Sequence, residues 1–200
     1  MKEIFKSVDS DATVRAVLIY GSGVGFCAGI DRDLLLDISR DHTGALQKIE
    51  ELQSAFLSVR SCKVPVIACI HGSCLGAGLD LVALCDMRYA SSCATLSSRE
   101  IRLGIAPDLG SIPALGTAAW AVGAILTGAD IPAKDVPWFF SAPLTTSPAE
   151  ALAVARLASS KVATANPGAI RLIKANLPRK STLDFSETFA RLARGNVALL

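Results

Sequence analysis

The chain has 200 residues, the usual size of a single domain. Apolar residues make up 51% of it and charged residues 19%, so it can bury a substantial core and does not have the composition of a disordered protein. The formal net charge is only +2, with lysine and arginine scattered along the sequence. This argues against nucleic acid or an acidic membrane surface as the main partner. No uninterrupted apolar run approaches the roughly 20 residues of a membrane span.

The six cysteines and two histidines do not form a metal-binding pattern. No CxxC pair occurs, so the sequence offers no zinc site. Several cysteines stand inside apolar runs such as VIACI (66–70), which is typical of buried, reduced thiols. We therefore expect an intracellular, reducing compartment and no secretory signal peptide.

The first part of the chain alternates between strands and helices. Residues 2–11 have the pattern of a helix end followed by a turn. Apolar, β-branched runs predict buried strands, and runs with helical spacing predict helices. In chain order, the elements are a strand at 14–20, a glycine-rich loop at 21–29, helices at 33–41 and 44–60, a strand at 64–70, a glycine-rich turn at 71–78, a helix at 79–85 and a strand at 85–91.

Beyond Gly110 the sequence predicts helices alone. These helices lie at 117–127, 147–164, 167–176 and 183–195, and an Ala/Pro-rich connection lies at 129–148. Strands that alternate with helices, followed by helices alone, predict an α/β core with a helical C-terminal section.

The turn HGSCLGAG (71–78) is a candidate binding loop. Its glycines let backbone N–H groups approach a ligand, and the following helix N-terminus favours an anion or a developing oxyanion. The alternative is a turn used only for packing. No GK[ST] follows, so this is not a Walker loop, and Ser73 and Cys74 lack the context of a catalytic nucleophile. The loop GFCAGID (25–31) is a second source of backbone donors.

Three acids stand in apolar surroundings, and each has a structural alternative. Asp80, inside GLDLVALC (78–85), must be paired, protonated or exposed to a cavity, unless it caps the helix that begins near Gly78. Glu100 and Asp108 flank the apolar run of SREIRLGIAPDLG (98–110). Facing one pocket, they would have separated pKa values, as a proton relay requires. The alternative is an ion pair of Glu100 with a neighbouring arginine, Arg99 or Arg102.

Taken together, these segments resemble the enoyl-CoA hydratase/isomerase (crotonase) superfamily. The resemblance rests on RAVLIYGSGVGFCAGID (15–31), KVPVIACIHGSCLGAGLDLVALCDMRYAS (63–91) and SREIRLGIAPDLG (98–110), with weaker matches at 126–135 and 166–177. It implies an α/β, crotonase-like ββα spiral that lacks the family's first strands. Residues 1–118 would form the core with the active-site loops, and residues 119–200 a helical oligomerisation section of the same domain.

Within this superfamily, the acids indicate the branch. Hydratases carry glutamates at the positions of Asp80 and Glu100 and lack the acid at Asp108. The three acids of this chain are similar to those of the Δ3,5-Δ2,4-dienoyl-CoA isomerases of unsaturated fatty acid β-oxidation. The resemblance implies that Glu100 and Asp108 exchange protons with the acyl chain, while Asp80 polarises the pair or holds a water. The resemblance also implies which residues bind the acyl-CoA thioester: Ala28, Gly29, Ile30, Asp31, Arg32 and Ala77. Of these, Ala28 and Ala77 would be the two oxyanion donors.

The resemblance also implies partners and location. Coenzyme A would enter as part of the substrate, and no metal or redox cofactor is needed because the reaction only moves protons. We expect a homotrimer or homohexamer, in mitochondria or peroxisomes of a eukaryote or in bacterial cytoplasm. The alternatives are an enoyl-CoA hydratase, a Δ3-Δ2-enoyl-CoA isomerase, and a truncated paralogue that binds acyl-CoA without turnover.

Overall fold

The computed structural model describes residues 1–40, 44–177 and 182–200. Strands form two small sheets, and helices surround them. The strands are β1 (Val17–Tyr20), β2 (Val66–Ile70), β3 (Ser73–Leu75), β4 (Met87–Ala90), β5 (Thr95–Ser97) and β6 (Asp130–Pro132). The helices are α1 (Lys2–Ser10), α2 (Arg32–Arg40), α3 (Ala45–Ser61), α4 (Ala77–Leu84), α5 (Ser111–Leu115), α6 (Ala119–Thr127), α7 (Pro148–Thr164), α8 (Pro167–Asn176) and α9 (Thr182–Leu199). Among the helices described, none is long and apolar enough to cross a membrane.

The larger sheet is parallel, in the order β1-β2-β4, and every residue of its central strand β2 is buried. Val66, Ala68 and Ile70 face the main core, whereas Ile67 and Cys69 face α7 through its small residues Ala151 and Ala155. Burial on both faces explains why the sequence of β2 is continuously apolar instead of alternating. The prediction of a buried parallel strand is confirmed.

The second sheet has the order β3-β5-β6, with β3 parallel and β6 antiparallel to β5. The prediction missed it. Strand β3 lies inside the segment interpreted as a turn (71–78), between Gly72 and Gly76, which both have positive φ angles of about 50°. Strand β6 lies in the Ala/Pro-rich connection, so the segment after Gly110 is not helical throughout. Strands of three residues are too short to show a period in the sequence.

The predicted helices are confirmed with small shifts in their ends. Side-chain caps fix two starts, because Ser147 accepts from the N–H of Glu150 and Asn166 from that of Ala169. The first helix continues to Ser10, and the last extends to Leu199, four residues beyond the predicted end. The final residue of the predicted helix 33–41, Asp41, lies outside the described residues.

A buried ion pair ties α8 to the main sheet. Lys174 Nζ lies 2.8 Å from Asp86 Oδ2, and the two side chains are only 10% and 6% exposed. Asp86 also accepts from the N–H of Val66 at the start of β2, and Lys174 donates to the carbonyl of Val64. Asp86 therefore has a structural role, as its place between a helix and a strand in the sequence indicates.

None of the six cysteines forms a disulfide, and most of them lie in apolar surroundings. Cys62, Cys69, Cys74 and Cys85 are buried, which confirms the expectation for most of them. Cys27 is half-buried beside the first glycine-rich loop, and Cys93 is exposed.

Candidate active site

The three predicted acids meet at one cavity. It lies between α2, α3, α4, the segment 98–110 and the end of α9. Asp80 is buried, and Glu100 and Asp108 are half-buried. The other residues that line the cavity, nearly all apolar, are Ile30, Leu35, Ile38, Ile49, Leu52, Ala77, Ile105, Leu109, Asn196 and Leu200.

Asp80 lies in the first turn of α4 and is 1% exposed. Its Oδ1 accepts a hydrogen bond of 2.5 Å from the N–H of Ser111, the first residue of α5. The alternative in which Asp80 caps the helix that begins near Gly78 is therefore wrong, because its carboxylate binds the start of α5, thirty-one residues further on. Asp80 Oδ2 is buried and has no hydrogen-bond partner among the residues described. Burial and the charge of Glu100 raise the pKa of Asp80 to about 8, so this carboxyl group carries a proton at neutral pH.

Glu100 begins a short 3₁₀ turn (Glu100–Leu103) and is not paired with an arginine of the described residues. Its Oε2 accepts a hydrogen bond of 2.9 Å from the Ser98 hydroxyl. Arg99 instead binds Asp130 on β6 at 2.8 Å, and Arg102 lies 3.7 Å from the same carboxylate. The ion-pair alternative is therefore wrong, because β6, which the sequence did not reveal, supplies the counter-ion. Burial raises the pKa of Glu100.

A bend at Gly104 turns the chain back between the two outer acids. Gly104 has a φ of 77°, and the N–H of Ile105 donates to the carbonyl of Glu100. Asp108 then faces the cavity that Glu100 faces, and burial raises the pKa of Asp108 to about 6. The hydrogen bond from Asn196 opposes this rise, and the charge of Glu100 adds to it. The cavity thus holds three carboxyl groups whose pKa values are all raised, and those of Asp80 and Asp108 differ, as acid–base chemistry requires.

The two glycine-rich loops run side by side. Cys27 pairs with Cys74 of β3 as in a parallel sheet, so the next residue, Ala28, lies beside the start of α4. A Cβ atom on Gly78 would lie 2.8 Å from Cys27 Cβ, so only glycine allows this close approach. In the described part of the chain, neither the N–H of Ala28 nor that of Ala77 has a hydrogen-bond partner. Both donors are available to a ligand oxygen.

The remaining predicted binding residues divide between the cavity and the surface. Ile30 lines the cavity, and Gly29 has a φ of 110° that favours glycine. Asp31 caps α2, because its Oδ1 accepts from the N–H groups of Asp33 and Leu34. Arg32 is exposed at the start of that helix. A role of these four residues in holding coenzyme A stays a prediction.

Two buried amides that bind Asp108 were not predicted from the sequence. Gln53 on α3 donates to the carbonyls of Asp108 and Phe189, each at 3.1 Å. Asn196 on α9 binds the Asp108 carboxylate at 3.0 Å. Each amide falls on the apolar face of its helix, Gln53 four residues after Ile49 and Asn196 seven residues after Phe189. That position is the signal by which the sequence could have revealed them.

Known proteins similar to this chain are acyl-CoA enzymes. Residues 1–194 match the family model described as enoyl-CoA hydratase/isomerase. The peroxisomal Δ3,5-Δ2,4-dienoyl-CoA isomerase of Arabidopsis thaliana is 38% identical over 119 residues, which are 54% of this chain and 43% of that protein. The human mitochondrial enzyme of the same name is 37% identical over 124 residues, 58% of this chain and 38% of its own length. A probable enoyl-CoA hydratase of Mycobacterium tuberculosis is 30% identical over 96% of this chain and 84% of its own length.

Solved structures share the fold over nearly the whole chain. An enoyl-CoA hydratase/isomerase from Mycobacterium paratuberculosis superposes with a TM-score of 0.86 at 25% identity, covering 99% of this chain and 80% of that one. An enoyl-CoA hydratase from Polaromonas gives a TM-score of 0.81 at 27% identity, covering 98% and 77%. The expected α/β crotonase-like fold with a helical C-terminal section is confirmed.

Proposed function

Because this chain belongs to the enoyl-CoA hydratase/isomerase family, we propose that it acts as a Δ3,5-Δ2,4-dienoyl-CoA isomerase. The observation that carries the proposal is the convergence of Asp80, Glu100 and Asp108 on one apolar cavity. The similarity to named dienoyl-CoA isomerases supports it. The aligned part spans about two fifths of those relatives, 43% and 38% of their length, so their activity is transferred here as a proposal.

The chemistry requires a proton to leave one carbon and another proton to reach a second carbon. Removing a proton from C2 of a 3,5-dienoyl thioester and delivering one to C6 leaves double bonds at C2 and C4. The negative charge of the intermediate trienolate resides largely on the thioester oxygen. The N–H groups of Ala28 and Ala77 would bind that oxygen, and losing one such donor typically costs about 3 kcal/mol of transition-state stabilisation.

Glu100 and Asp108 would be the two carboxyl groups that exchange protons with the acyl chain. Both have raised pKa values, which brings each group closer to the neutral range in which a carboxyl group can act as acid and as base. Asp80 keeps its own proton to about pH 8 and would limit the negative charge in the cavity. Its unpartnered Oδ2 could also bind a water beside the pair.

The direct test follows a 3,5-dienoyl-CoA as it becomes the conjugated 2,4-isomer, by ultraviolet absorbance. We expect Asp108→Asn to reduce kcat by about 10²- to 10⁴-fold, the usual contribution of a positioned acid or base. Asp135→Asn, which removes an exposed carboxylate outside the cavity, is the matched control and should keep the wild-type rate. A wild-type rate in Asp108→Asn would exclude the assigned role.

A hydratase is the second candidate, because the Mycobacterium tuberculosis relative named as a probable enoyl-CoA hydratase aligns with 96% of the chain. Asp108 is the feature against it, since family hydratases lack an acid at this position. Water addition to crotonyl-CoA without dienoyl-CoA isomerisation would favour the hydratase. Acyl-CoA binding with neither reaction would favour the non-catalytic paralogue.

The other functional expectations accompany this proposal. The proton transfers need no metal or redox cofactor, and coenzyme A enters with the substrate. A mitochondrial or peroxisomal site would fit a eukaryotic source, since the named isomerase relatives are assigned to these organelles, and the cytoplasm would fit a bacterial one. Homotrimers or homohexamers would cover the apolar residues that α7 and α8 expose, Leu157, Leu172 and Ile173.

A further inference from the structure

Asn196 is a buried amide that connects the last helix to an acid of the cavity. It is 2% exposed and lies on α9, 88 residues after Asp108 in the sequence. Its Nδ2 donates to Asp108 Oδ2 at 3.0 Å and to the carbonyl of Ala106 at 2.8 Å, and its Oδ1 accepts from the N–H of Ala106 at 2.9 Å. All three contacts are good hydrogen bonds by distance.

The backbone of Ala106 fixes which way the amide points. Its N–H and its carbonyl bind the oxygen and the nitrogen of the same carboxamide. A flipped amide would place two acceptors against each other and two donors against each other, so the observed orientation is strongly favoured. Asn196 therefore always presents an N–H to Asp108 and never an acceptor.

This fixed donor makes the two oxygens of Asp108 different. Oδ2 is occupied by Asn196, whereas Oδ1 accepts no hydrogen bond from another residue in the described ranges. A donor that cannot become an acceptor favours the ionised carboxylate over the protonated one. Oδ1 is then the oxygen free to exchange a proton with a bound acyl chain.

We propose that Asn196 is a positioning residue, which holds Oδ2 of Asp108 so that Oδ1 remains an ionised proton acceptor facing the acyl chain. The proposal rests on the proposed isomerase function, in which Asp108 exchanges protons with the substrate. It gives α9 a role in the chemistry besides packing. Asn196 touches no reacting atom and acts through Asp108.

The surroundings of Asp108 leave few other groups that could set its ionisation. The titratable side chains that share its cavity are Glu100 and Asp80, both acids. Among the described residues, helices α2 and α3 contribute apolar side chains there, and α9 contributes Asn196. Gln53 binds the main-chain carbonyl of Asp108 and not its carboxylate. It therefore fixes the backbone and does not bind the group that ionises.

The experiment titrates the Asp108 carboxyl by NMR of protein labelled with ¹³C-aspartate, with the signal assigned from Asp108→Asn. In Asn196→Leu, which has a similar volume and no donor, the pKa of Asp108 should rise by about one unit. Asn196→Asp keeps the shape of the side chain but replaces the fixed donor by an acid, so it should also raise the pKa of Asp108. Gln53→Leu, which removes the hydrogen bonds to the main-chain carbonyls of Asp108 and Phe189 but none to the carboxylate, should lower stability with a much smaller effect on this pKa. Asn176→Ala, at the exposed end of α8, should change neither the stability nor the pKa of Asp108.

The pH dependence of isomerisation is the second measurement. The acidic limb of kcat/KM should move to higher pH in Asn196→Leu by the same amount as the NMR titration, with little change in thioester affinity. An unchanged Asp108 titration in both Asn196 variants would overturn the proposal. If wild-type protein does not isomerise dienoyl-CoA, the proposed function fails, but the NMR titration still decides whether Asn196 controls Asp108.

Discussion

Replacing Asp80 by asparagine should change how the stability of the protein depends on pH. An aspartate carboxyl ionises near pH 3.8 in the unfolded chain, whereas that of Asp80 ionises at about pH 8 in the folded protein. Between these values the unfolded state is charged and the folded state holds a proton. The stabilising effect of this proton is therefore complete below about pH 4 and is lost as the pH rises to about 8. The amide introduced by Asp80→Asn cannot ionise, so this dependence should disappear.

The size of the effect follows from the pKa shift. One pKa unit corresponds to about 1.36 kcal/mol. Between pH 5 and pH 8 the free energy of unfolding should therefore fall in the wild type by up to about 4 kcal/mol more than it falls in Asp80→Asn. This is an upper limit, because water that enters the cavity would lower the cost of charging Asp80. The new amide also leaves an N–H group beside the site of the unpartnered Oδ2. Its cost of about 1–3 kcal/mol does not depend on pH and cancels in the comparison.

Urea unfolding followed by circular dichroism, at pH 5 and pH 8 and at one protein concentration, measures this difference. Asp135→Asn again serves as the control, since it removes a carboxylate from the surface. It should follow the pH dependence of the wild type. If Asp80→Asn loses as much stability as the wild type between the two pH values, Asp80 is ionised in the folded protein and the reasoning about the cavity is wrong.

Two further substitutions, each with a control, test the packing between the glycine-rich loops and the buried ion pair of α8. Gly78→Ala should destabilise the protein by about 1–3 kcal/mol and reduce kcat, because the new Cβ atom would lie 2.8 Å from an atom of the first glycine-rich loop. Gly123→Ala on α6, where nothing lies within 4 Å, should instead stabilise by about 0.5–1 kcal/mol in thermal unfolding, and equal effects would contradict the packing argument. Lys174→Met should cost about 3–5 kcal/mol in urea unfolding, since it breaks a buried ion pair from one side. Lys161→Met, on the exposed surface of α7, is its control, and a similar small loss in both would show that the pair contributes little.

Local patterns in the sequence were sufficient for the larger elements of the fold. The run VIACI is apolar because both faces of β2 are buried, and the capped starts of α7 and α8 are visible as Ser147-Pro148 and Asn166-Pro167. The second sheet was missed because strands of three residues have no readable period. Because this sheet was not predicted, Asp130 was not recognised as the partner of Arg99. An ion pair between Arg99 and Glu100 therefore remained an equal alternative.

The candidate site could be predicted only in part, for a similar reason. Its three acids stand out because a carboxylate in an apolar run must be paired, protonated or beside a cavity. Gln53 and Asn196 are neutral amides, and their partners lie 55 and 88 residues away, so no local pattern gives their function. Whether Asp31 binds a ligand was also open, because capping and binding use the same residue types.

The long-range contacts of α9 have a consequence for when the site forms during folding. The bond from Gln53 to Phe189 joins residues 136 positions apart, and those from Asn196 to Ala106 span 90. Contacts at such separations form slowly, because a long loop must close before any bond compensates for its lost entropy. While the protein is being synthesised, the sheets and all three acids leave the ribosome before α9 does. A nascent chain at that stage has its acids but no means of holding Asp108, so the proposed isomerisation should begin only after α9 has docked.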